Sequence, residues 1–197
     1  MSKLFNNLSL RMNKMRENKG LSQKLAVFDL DGTLYKCNSH IELLNQRYRA
    51  RIFDSIFLKA FGKVYSRGYM KLLHYFYNRV PIGYIKKFNP EFRESALEFL
   101  KEKKREGYCV VIVSNAPKEL IEVAAKRLKL KWLRAEIGQK NKVVLENYSF
   151  DKLFVCTDNL SDIDLLDIAH ERVIYATKRN ISVFSDRYPN ATILLEV

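Results

Sequence analysis

Three short apolar runs in this sequence each end in a group of polar side chains, and helical patterns lie between them. The runs cover residues 25–28, 109–113 and 153–156. Continuous apolar strands that alternate with helices indicate a parallel sheet with helices on both faces. Later strand patterns at 172–175 and 192–195 extend the sheet. The chain is therefore predicted to have an α/β fold.

The polar groups that follow these runs predict a site at one edge of the sheet. They stand at the carboxyl ends of three different strands: Asp29 and Asp31, Ser114 and Asn115, and Asp158 and Asp162. Open parallel sheets bind their ligands at that edge. Carboxylates from two different strands would meet there, and carboxylate oxygens are ligands that Mg²⁺ prefers. A magnesium site is therefore expected.

This set of side chains suits phosphoryl transfer. A carboxylate can attack phosphorus and form an acyl-phosphate, which divides one difficult displacement into two. A second carboxylic acid can protonate the leaving oxygen and later remove a proton from water. A metal ion, a hydroxyl and an ammonium group would offset the charge on the phosphoryl oxygens. Asp29 and Asp31, with partners from other strands, supply these groups.

The motifs resemble those of the haloacid dehalogenase superfamily of phosphohydrolases. Asp29-Leu30-Asp31-Gly32-Thr33 is similar to the first motif of that family, and Val113-Ser114-Asn115 is similar to the second. The segment that begins at Asp158 and includes Asp162 is similar to the fourth motif. The order is the same over residues 24–34 and 91–180. The resemblance implies a Rossmann-like core with a helical cap inserted after the first strand, as in the phosphoserine-phosphatase-like branch.

The resemblance also implies a role for each residue. Asp29 would be the nucleophile and a metal ligand, and Asp31 the general acid and base, with its backbone carbonyl on the metal. Asp158 would be a ligand of the Mg²⁺ ion, and Asp162 would support the metal site or its waters. The residues expected to bind the phosphate are Thr33, Ser114, Asn115 and Lys142.

Two motifs depart from the family pattern. The third motif is a lone lysine ahead of the acidic pair; Lys142 is the preferred candidate and Lys140 the alternative, and residues 131–141 before it are few for this branch. The fourth motif begins Thr157-Asp158, where the family usually has Gly-Asp. Because the aspartates remain, we expect the metal site to be kept, with an altered affinity.

The excess positive charge of the chain lies in two segments. The net charge is +13, of which residues 1–23 contribute +4 and residues 35–90 contribute +9, so the rest is balanced. Apolar spacing predicts helices over much of 40–79. The predicted organisation is a basic tail (1–23), a core (24–34 and 91–197) and a helical cap (35–90). Such a cap has either an anionic partner or a basic, solvated helical surface.

These observations predict a Mg²⁺-dependent phosphatase whose substrate is selected by the basic cap. A lipid-linked or other large anionic phosphate is favoured, with the cap and tail touching an anionic membrane surface. A small soluble phosphate, such as a phospho-amino acid or phospho-sugar, is the alternative, and a phosphomutase would also keep both aspartates. A nucleic-acid-binding protein is the alternative of another class, but no nucleic-acid motif supports it.

The expected location is the cytoplasm, with peripheral membrane contact. No apolar run approaches the roughly 18 residues that span a bilayer, and the basic N-terminal stretch has no continuous apolar region of a secretory signal. The widely spaced Cys37, Cys109 and Cys156 are typical of reduced cysteines.

Overall fold

The computed structural model describes residues 23–49 and 66–195, which contain a six-stranded parallel sheet. The strands lie in the order β3-β2-β1-β4-β5-β6, and all neighbouring pairs are parallel. Their bounds are β1 Lys24–Phe28, β2 Cys109–Ser114, β3 Lys131–Arg134, β4 Lys152–Thr157, β5 Glu171–Ala176 and β6 Thr192–Leu195. The predicted α/β fold is confirmed.

The described helices fall into two groups along the chain. Those between β1 and β2 are α1 Ser39–Tyr48, α2 Ser66–Tyr77, α3 Ile82–Lys87 and α4 Glu94–Arg105. Those after β2 are α5 Lys118–Leu128, α6 Lys140–Asn147, α7 Ile163–Asp167 and α8 Ile181–Arg187. The sequence patterns miss α3 and α8, since helices of six and seven residues show too little apolar repetition. Within the described ranges, no helix has the length and apolar character of a membrane span.

Two apolar layers cover the sheet, one on each face. On one face Phe28 packs in a cluster with Leu100 of α4. On the other face Val27 packs in a cluster with Leu166 of α7 and Phe184 of α8. Successive strand residues point to opposite faces, so a strand covered on both sides must be apolar at every position. The continuous apolar runs of the sequence follow from this arrangement.

The inserted helical segment, of which residues 35–49 and 66–90 are described, has an apolar cluster of its own. The cluster includes Leu43 of α1, Leu73 of α2 and Ile85 of α3, and it is completed by Leu120 of α5. The segment therefore packs on a helix of the main sheet layer. The predicted apolar pattern within residues 50–65 and the tail over residues 1–22 lie outside the described residues.

The two chain connections of this segment meet at one point. Tyr35 and Phe92 form an isolated antiparallel bridge, and their ring centroids lie 4.8 Å apart. Arg127 of α5 donates hydrogen bonds to the Tyr35 hydroxyl at 3.2 Å and to the Pro90 carbonyl oxygen at 3.0 Å. The same guanidinium carbon lies 4.1 Å from the Phe92 ring centroid. The inserted segment thus leaves and rejoins the sheet layer side by side.

Candidate active site

The site is built on the turn that follows β1. Asp29 ends the strand, and its N–H donates to the Cys156 carbonyl oxygen of β4 at 3.0 Å. Asp31 (φ −74°, ψ 131°) and Gly32 (φ 72°, ψ −12°) have the dihedral angles of a type II turn, which favours glycine at the second position. A Cβ at Gly32 would lie 2.1 Å from Oδ2 of Asp158. Glycine is therefore required both by its φ and by the approach of β4.

Asp29, Lys140 and Asp162 form a buried charged cluster. Nζ of Lys140 lies 2.8 Å from Oδ1 of Asp29 and 2.7 Å from Oδ2 of Asp162, and all three residues are buried. Burial raises the pKa of Asp29, and the Lys140 ammonium opposes that rise. The two carboxylates raise the pKa of Lys140 in spite of its burial. Because one cation faces two carboxylates, the cluster favours a further positive charge.

Of the two candidate lysines, Lys140, the alternative, lies in the cluster, whereas Lys142, the preferred candidate, is exposed. The sequence pattern predicts a helix over 142–146, whereas α6 begins two residues earlier, at Lys140. Lys140 and the buried Val144 are four residues apart and share the helix face that is turned inwards. Two residues further on, Lys142 lies on the opposite side of α6.

For Asp162 the family resemblance implies support of the metal site or of its waters, and protein groups hold its carboxylate in place. Its Oδ2 accepts hydrogen bonds from Lys140 and from the Thr157 hydroxyl, and its Oδ1 accepts one from Ser161 at 3.3 Å. Thr157 stands where the family pattern has glycine, and its hydroxyl orients the Asp162 carboxylate. With both oxygens engaged by protein groups, Asp162 acts on the site by holding Lys140.

Thr33 and Asp158 join the turn to the end of β4. The Thr33 hydroxyl donates to Oδ1 of Asp158 at 3.1 Å, while Oδ2 of Asp158 faces Gly32. The structure therefore places the Thr33 hydroxyl against a carboxylate, and the role of Thr33 in phosphate binding stays a prediction. In this arrangement Thr33 fixes the orientation of Asp158.

The Asp31 carboxylate lies against the beginning of the inserted helical segment. Its Oδ1 accepts the N–H of Ser39, the first residue of α1, at 2.9 Å. Asn38 caps this helix by accepting the Ile41 N–H at 3.1 Å. Burial raises the pKa of Asp31 to about 6, and the Ser39 hydrogen bond opposes that rise. A carboxyl group with this pKa can both donate and accept a proton near neutral pH.

Ser114 and Asn115 lie at the end of β2, the strand next to β1. Ser114 is fully buried, and its Oγ accepts the Ala116 N–H at 3.2 Å. Asn115 is half-buried. Since β2, β1 and β4 are neighbours, all three predicted polar groups lie at the same edge of the sheet.

The residues at this edge fit a Mg²⁺ ion that is only partly ligated by side chains. Within residues 23–49 and 66–195, no three His, Cys, Asp or Glu side chains converge as a metal-binding group. Asp29 and Asp158, at the ends of the neighbouring strands β1 and β4, can each supply a carboxylate oxygen. Protein-bound Mg²⁺ commonly takes one or two carboxylates and completes its shell with water and substrate phosphate. The absence of a Cβ at Gly32 lets the Asp158 carboxylate approach the turn after β1.

Arg93 touches the turn but carries no sequence signal. Its Nη2 donates to the Gly32 carbonyl oxygen at 2.8 Å and its Nε to that of Thr33 at 3.2 Å. Arg93 follows the turn by about 60 positions in the sequence and comes after the inserted helical segment. A lone arginine before a helix has no recognisable spacing to a distant strand end, and its position in the fold alone reveals it.

A family model described as haloacid dehalogenase-like hydrolase matches residues 26–167 of this chain. The matched range runs from within β1 to the end of α7 and includes all three polar groups at the sheet edge. A search of curated proteins gave no significant match.

Several solved structures share the fold at low sequence identity. A protein of unknown function from Bordetella pertussis Tohama I has a TM-score of 0.66 at 15% identity, covering 88% of this chain and 99% of its own. A phosphoserine phosphatase, solved as a phospho-aspartyl intermediate analogue, has a TM-score of 0.60 at 18% identity, covering 90% and 95%. Cytosolic 5′-nucleotidase IIIB bound to cytidine gives 0.55 at 11% identity, covering 88% and 80%.

Proposed function

Since the chain belongs to the haloacid dehalogenase-like hydrolase family, we propose that it hydrolyses a phosphomonoester with Mg²⁺ through a phosphorylated Asp29. The observation that supports this proposal is the position of Asp29 at the ligand-binding edge of the sheet, 2.8 Å from the Lys140 ammonium. A fixed carboxylate beside a fixed cation suits attack on an anionic phosphoryl group, because the cation is already in place where negative charge gathers.

In the first step the Asp29 carboxylate attacks phosphorus, and the bond from phosphorus to the leaving oxygen breaks. Protonated Asp31 donates its proton to that oxygen, so the product leaves as an alcohol. The raised pKa of Asp31, about 6, keeps a fraction of this carboxyl protonated near neutral pH. Lys140 holds Asp29 in place through the attack.

In the second step the Asp31 carboxylate removes a proton from water, and the water oxygen attacks phosphorus. The bond between phosphorus and Asp29 breaks, and inorganic phosphate leaves. Asp31 is then protonated again and ready for the next cycle. We assign Ser114 and Asn115, at the end of the neighbouring strand, to the phosphoryl oxygens.

The proposed Mg²⁺ ligands are the Asp29 and Asp158 carboxylates and the Asp31 carbonyl; the ion, when bound, would neutralise charge on the phosphoryl oxygens. Two further residues act on this site through others. Thr33 orients Asp158, and Asp162 holds Lys140.

The proposed substrate is a lipid-linked or other large anionic phosphate, selected by residues 35–90 as a helical cap. No acidic residue occurs between Asp54 and Glu91, a stretch with seven Lys or Arg. The Arg79 guanidinium carbon lies 3.4 Å from the centroid of the exposed Tyr75 ring. Among the described side chains of this segment, the other exposed large apolar residues are Met70, Leu72, Ile82 and Tyr84. Basic and apolar side chains together suit an anionic membrane surface.

The proposed reaction is tested by phosphate release from the purified protein with Mg²⁺ against soluble phosphates, lipid phosphates and oligonucleotide ends. Asp29→Asn keeps the size of the side chain and removes the nucleophile, so we expect its turnover to fall by a factor of about 10³ or more. Chelation of Mg²⁺ should stop release by the wild type. Unchanged turnover in Asp29→Asn would overturn the proposed mechanism.

Co-sedimentation with vesicles tests the proposed substrate class separately. We expect binding to phosphatidylglycerol vesicles at low salt, weaker binding at high salt, and none to phosphatidylcholine vesicles, because the attraction depends on lipid charge. Turnover of a small phosphate with no vesicle binding would support the soluble-substrate alternative instead.

A further inference from the structure

We propose that Arg93 is a positioning residue for the turn that carries Asp29 and Asp31; its effect on turnover rests on the hydrolysis proposed above. Arg93 stands directly before α4, where the chain returns from the inserted helical segment. It donates to three consecutive carbonyl oxygens of the turn. The distances are 2.8 Å from its backbone N to Leu34, 3.2 Å from Nε to Thr33 and 2.8 Å from Nη2 to Gly32.

These hydrogen bonds set the orientation of the peptide groups in the turn. In a trans peptide the C=O and N–H bonds point in opposite directions, and none of the described peptide bonds is cis. The N–H groups of Thr33 and Leu34 are therefore directed away from Arg93. The Leu34 N–H lies 3.4 Å from the Asp29 carbonyl oxygen. Rotation of these peptide groups would break this hydrogen bond, which closes the turn that carries Asp29 and Asp31.

The guanidinium of Arg93 is itself held in place. Its carbon lies 4.4 Å from the ring centroid of Tyr175, a buried residue of β5. The Tyr175 hydroxyl is 2.8 Å from Oγ of Ser95. A guanidinium can stack on a ring while its planar donors reach two acceptors, which a lysine ammonium cannot do. Arg93 therefore connects β5, the return of the inserted helical segment and the turn.

The test compares Arg93→Met and Arg93→Lys with a matched control, Arg172→Met. Arg172 is also half-buried, donates from Nε to the Leu166 carbonyl oxygen at 2.8 Å and lies 5.1 Å from the Tyr188 ring centroid. Neither of these contacts involves the turn after β1. The kinetic probe is para-nitrophenyl phosphate with Mg²⁺, and stability is followed by thermal unfolding.

We expect Arg93→Met to lower kcat by about 10- to 100-fold while KM changes by less than about threefold, because a misplaced nucleophile weakens the transition state more than substrate binding. Arg93→Lys should recover part of the loss, since it keeps one donor and the charge. Arg172→Met should keep a kcat near that of the wild type. A kcat in Arg93→Met no lower than in Arg172→Met would overturn the proposal.

Hydrogen exchange of the amides in residues 29–37 gives a second reading that needs no activity. At matched global stability, Arg93→Met should exchange faster in this segment than Arg172→Met. Equal exchange in both variants would also overturn the proposal. If Arg93→Met does not fold, Arg93→Lys carries both comparisons. A wild type without phosphatase activity, together with faster exchange in the Arg93 variants, would reject the proposed function and retain the positioning role.

Discussion

Lys140 is the residue on which the charged cluster depends most. Its replacement by methionine would leave Asp29 and Asp162 buried together without their shared cation. Removing one partner of a buried ion pair costs about 3–5 kcal/mol, so we expect a lower Tm for Lys140→Met. Phosphate release should also fall by about 100-fold or more, since the nucleophile loses its electrostatic partner.

Lys142→Met is the matched control for this change. The side chain is exposed, and we expect its loss to change stability by less than about 0.5 kcal/mol. Thermal unfolding and phosphate release of the two variants, measured side by side, check that Lys140 and not Lys142 is the lysine of the active site. It would be contradicted by an active Lys140→Met protein or by an inactive Lys142→Met protein.

His40 predicts a pH dependence of stability. Its ring is buried in the inserted helical segment, 4.9 Å from the Tyr77 ring and 5.9 Å from the His74 ring. Burial lowers the pKa of His40 from 6.5 to about 4. Between these two values the unfolded chain binds the proton and the folded chain does not. The contribution of neutral His40 to the free energy of unfolding should therefore be fully present above pH 6.5. It should be lost as the pH drops towards 4, which lowers the free energy of unfolding by up to about 3 kcal/mol.

The measurement is urea unfolding at several pH values across this window. His40→Phe keeps a ring of similar size and removes the titrating group, so its stability should change less between the two ends of the window. A wild type and a His40→Phe variant with the same pH dependence would show that other groups control it.

Among the elements, the turn after β1 leads to a prediction about Gly32. Alanine there meets two penalties: a positive φ, which costs about 1–2 kcal/mol, and a Cβ placed 2.1 Å from Oδ2 of Asp158. Asp158 must move, so we expect Gly32→Ala to require more Mg²⁺ for half-maximal activity and to lose turnover by about 100-fold. A magnesium titration of phosphate release measures both effects.

Gly138→Ala separates the two penalties. Gly138 has nearly the same φ, 71°, but none of the described heavy atoms lies within 4 Å of the position that a Cβ would take. This variant should lose about 1–2 kcal/mol of stability and keep its magnesium dependence. Equal magnesium requirements in the two alanine variants would argue against Asp158 as a ligand.

The ends of the strands could be predicted from the sequence, whereas the start of α6 could not. Asp29 and Asp158 follow strands that are covered on both faces, and the change from apolar to charged residues marks where burial ends. Lys140 and Lys142 are both single charges in a polar stretch. Only the first residue of the helix decides which of them faces inwards, and no capping side chain marks that residue.

For the whole molecule, the packing of the inserted helical segment on α5 predicts the effect of Leu120→Ala. Leu120 is 1% exposed and completes the cluster formed by the inserted helices. Its truncation should cost about 2–5 kcal/mol and speed hydrogen exchange in α2 and α3. Leu166→Ala, at a fully buried leucine on the other face of the sheet, should cost a similar amount without that local effect.

If the amides of α2 and α3 exchange equally fast in the two leucine variants, Leu120 does not stabilise the inserted helices. Peptide-resolved hydrogen exchange, read at equal global stability, makes the comparison.

The place of the inserted segment in the chain could be predicted, but its contacts could not. Its helical spacing and its positive charge are local properties of residues 35–90. Its attachment depends on pairs far apart in sequence, such as the hydrogen bond from the Tyr77 hydroxyl to Glu119 at 3.0 Å. The contacts of Arg93 could not be predicted for the same reason, because Arg93 follows the insertion and the turn that it contacts precedes it.

The bridge between Tyr35 and Phe92 brings the two ends of the inserted segment together. Paired residues in antiparallel strands stand about 5 Å apart at their Cα atoms, a gap that a loop of a few residues can close. The chain before the insertion could therefore be joined directly to the chain after it, at Tyr35 and Phe92. A chain joined there would lose the Ser39 N–H that Asp31 accepts and would expose Leu120, so the insertion is separate in the chain but shared with the site in the fold.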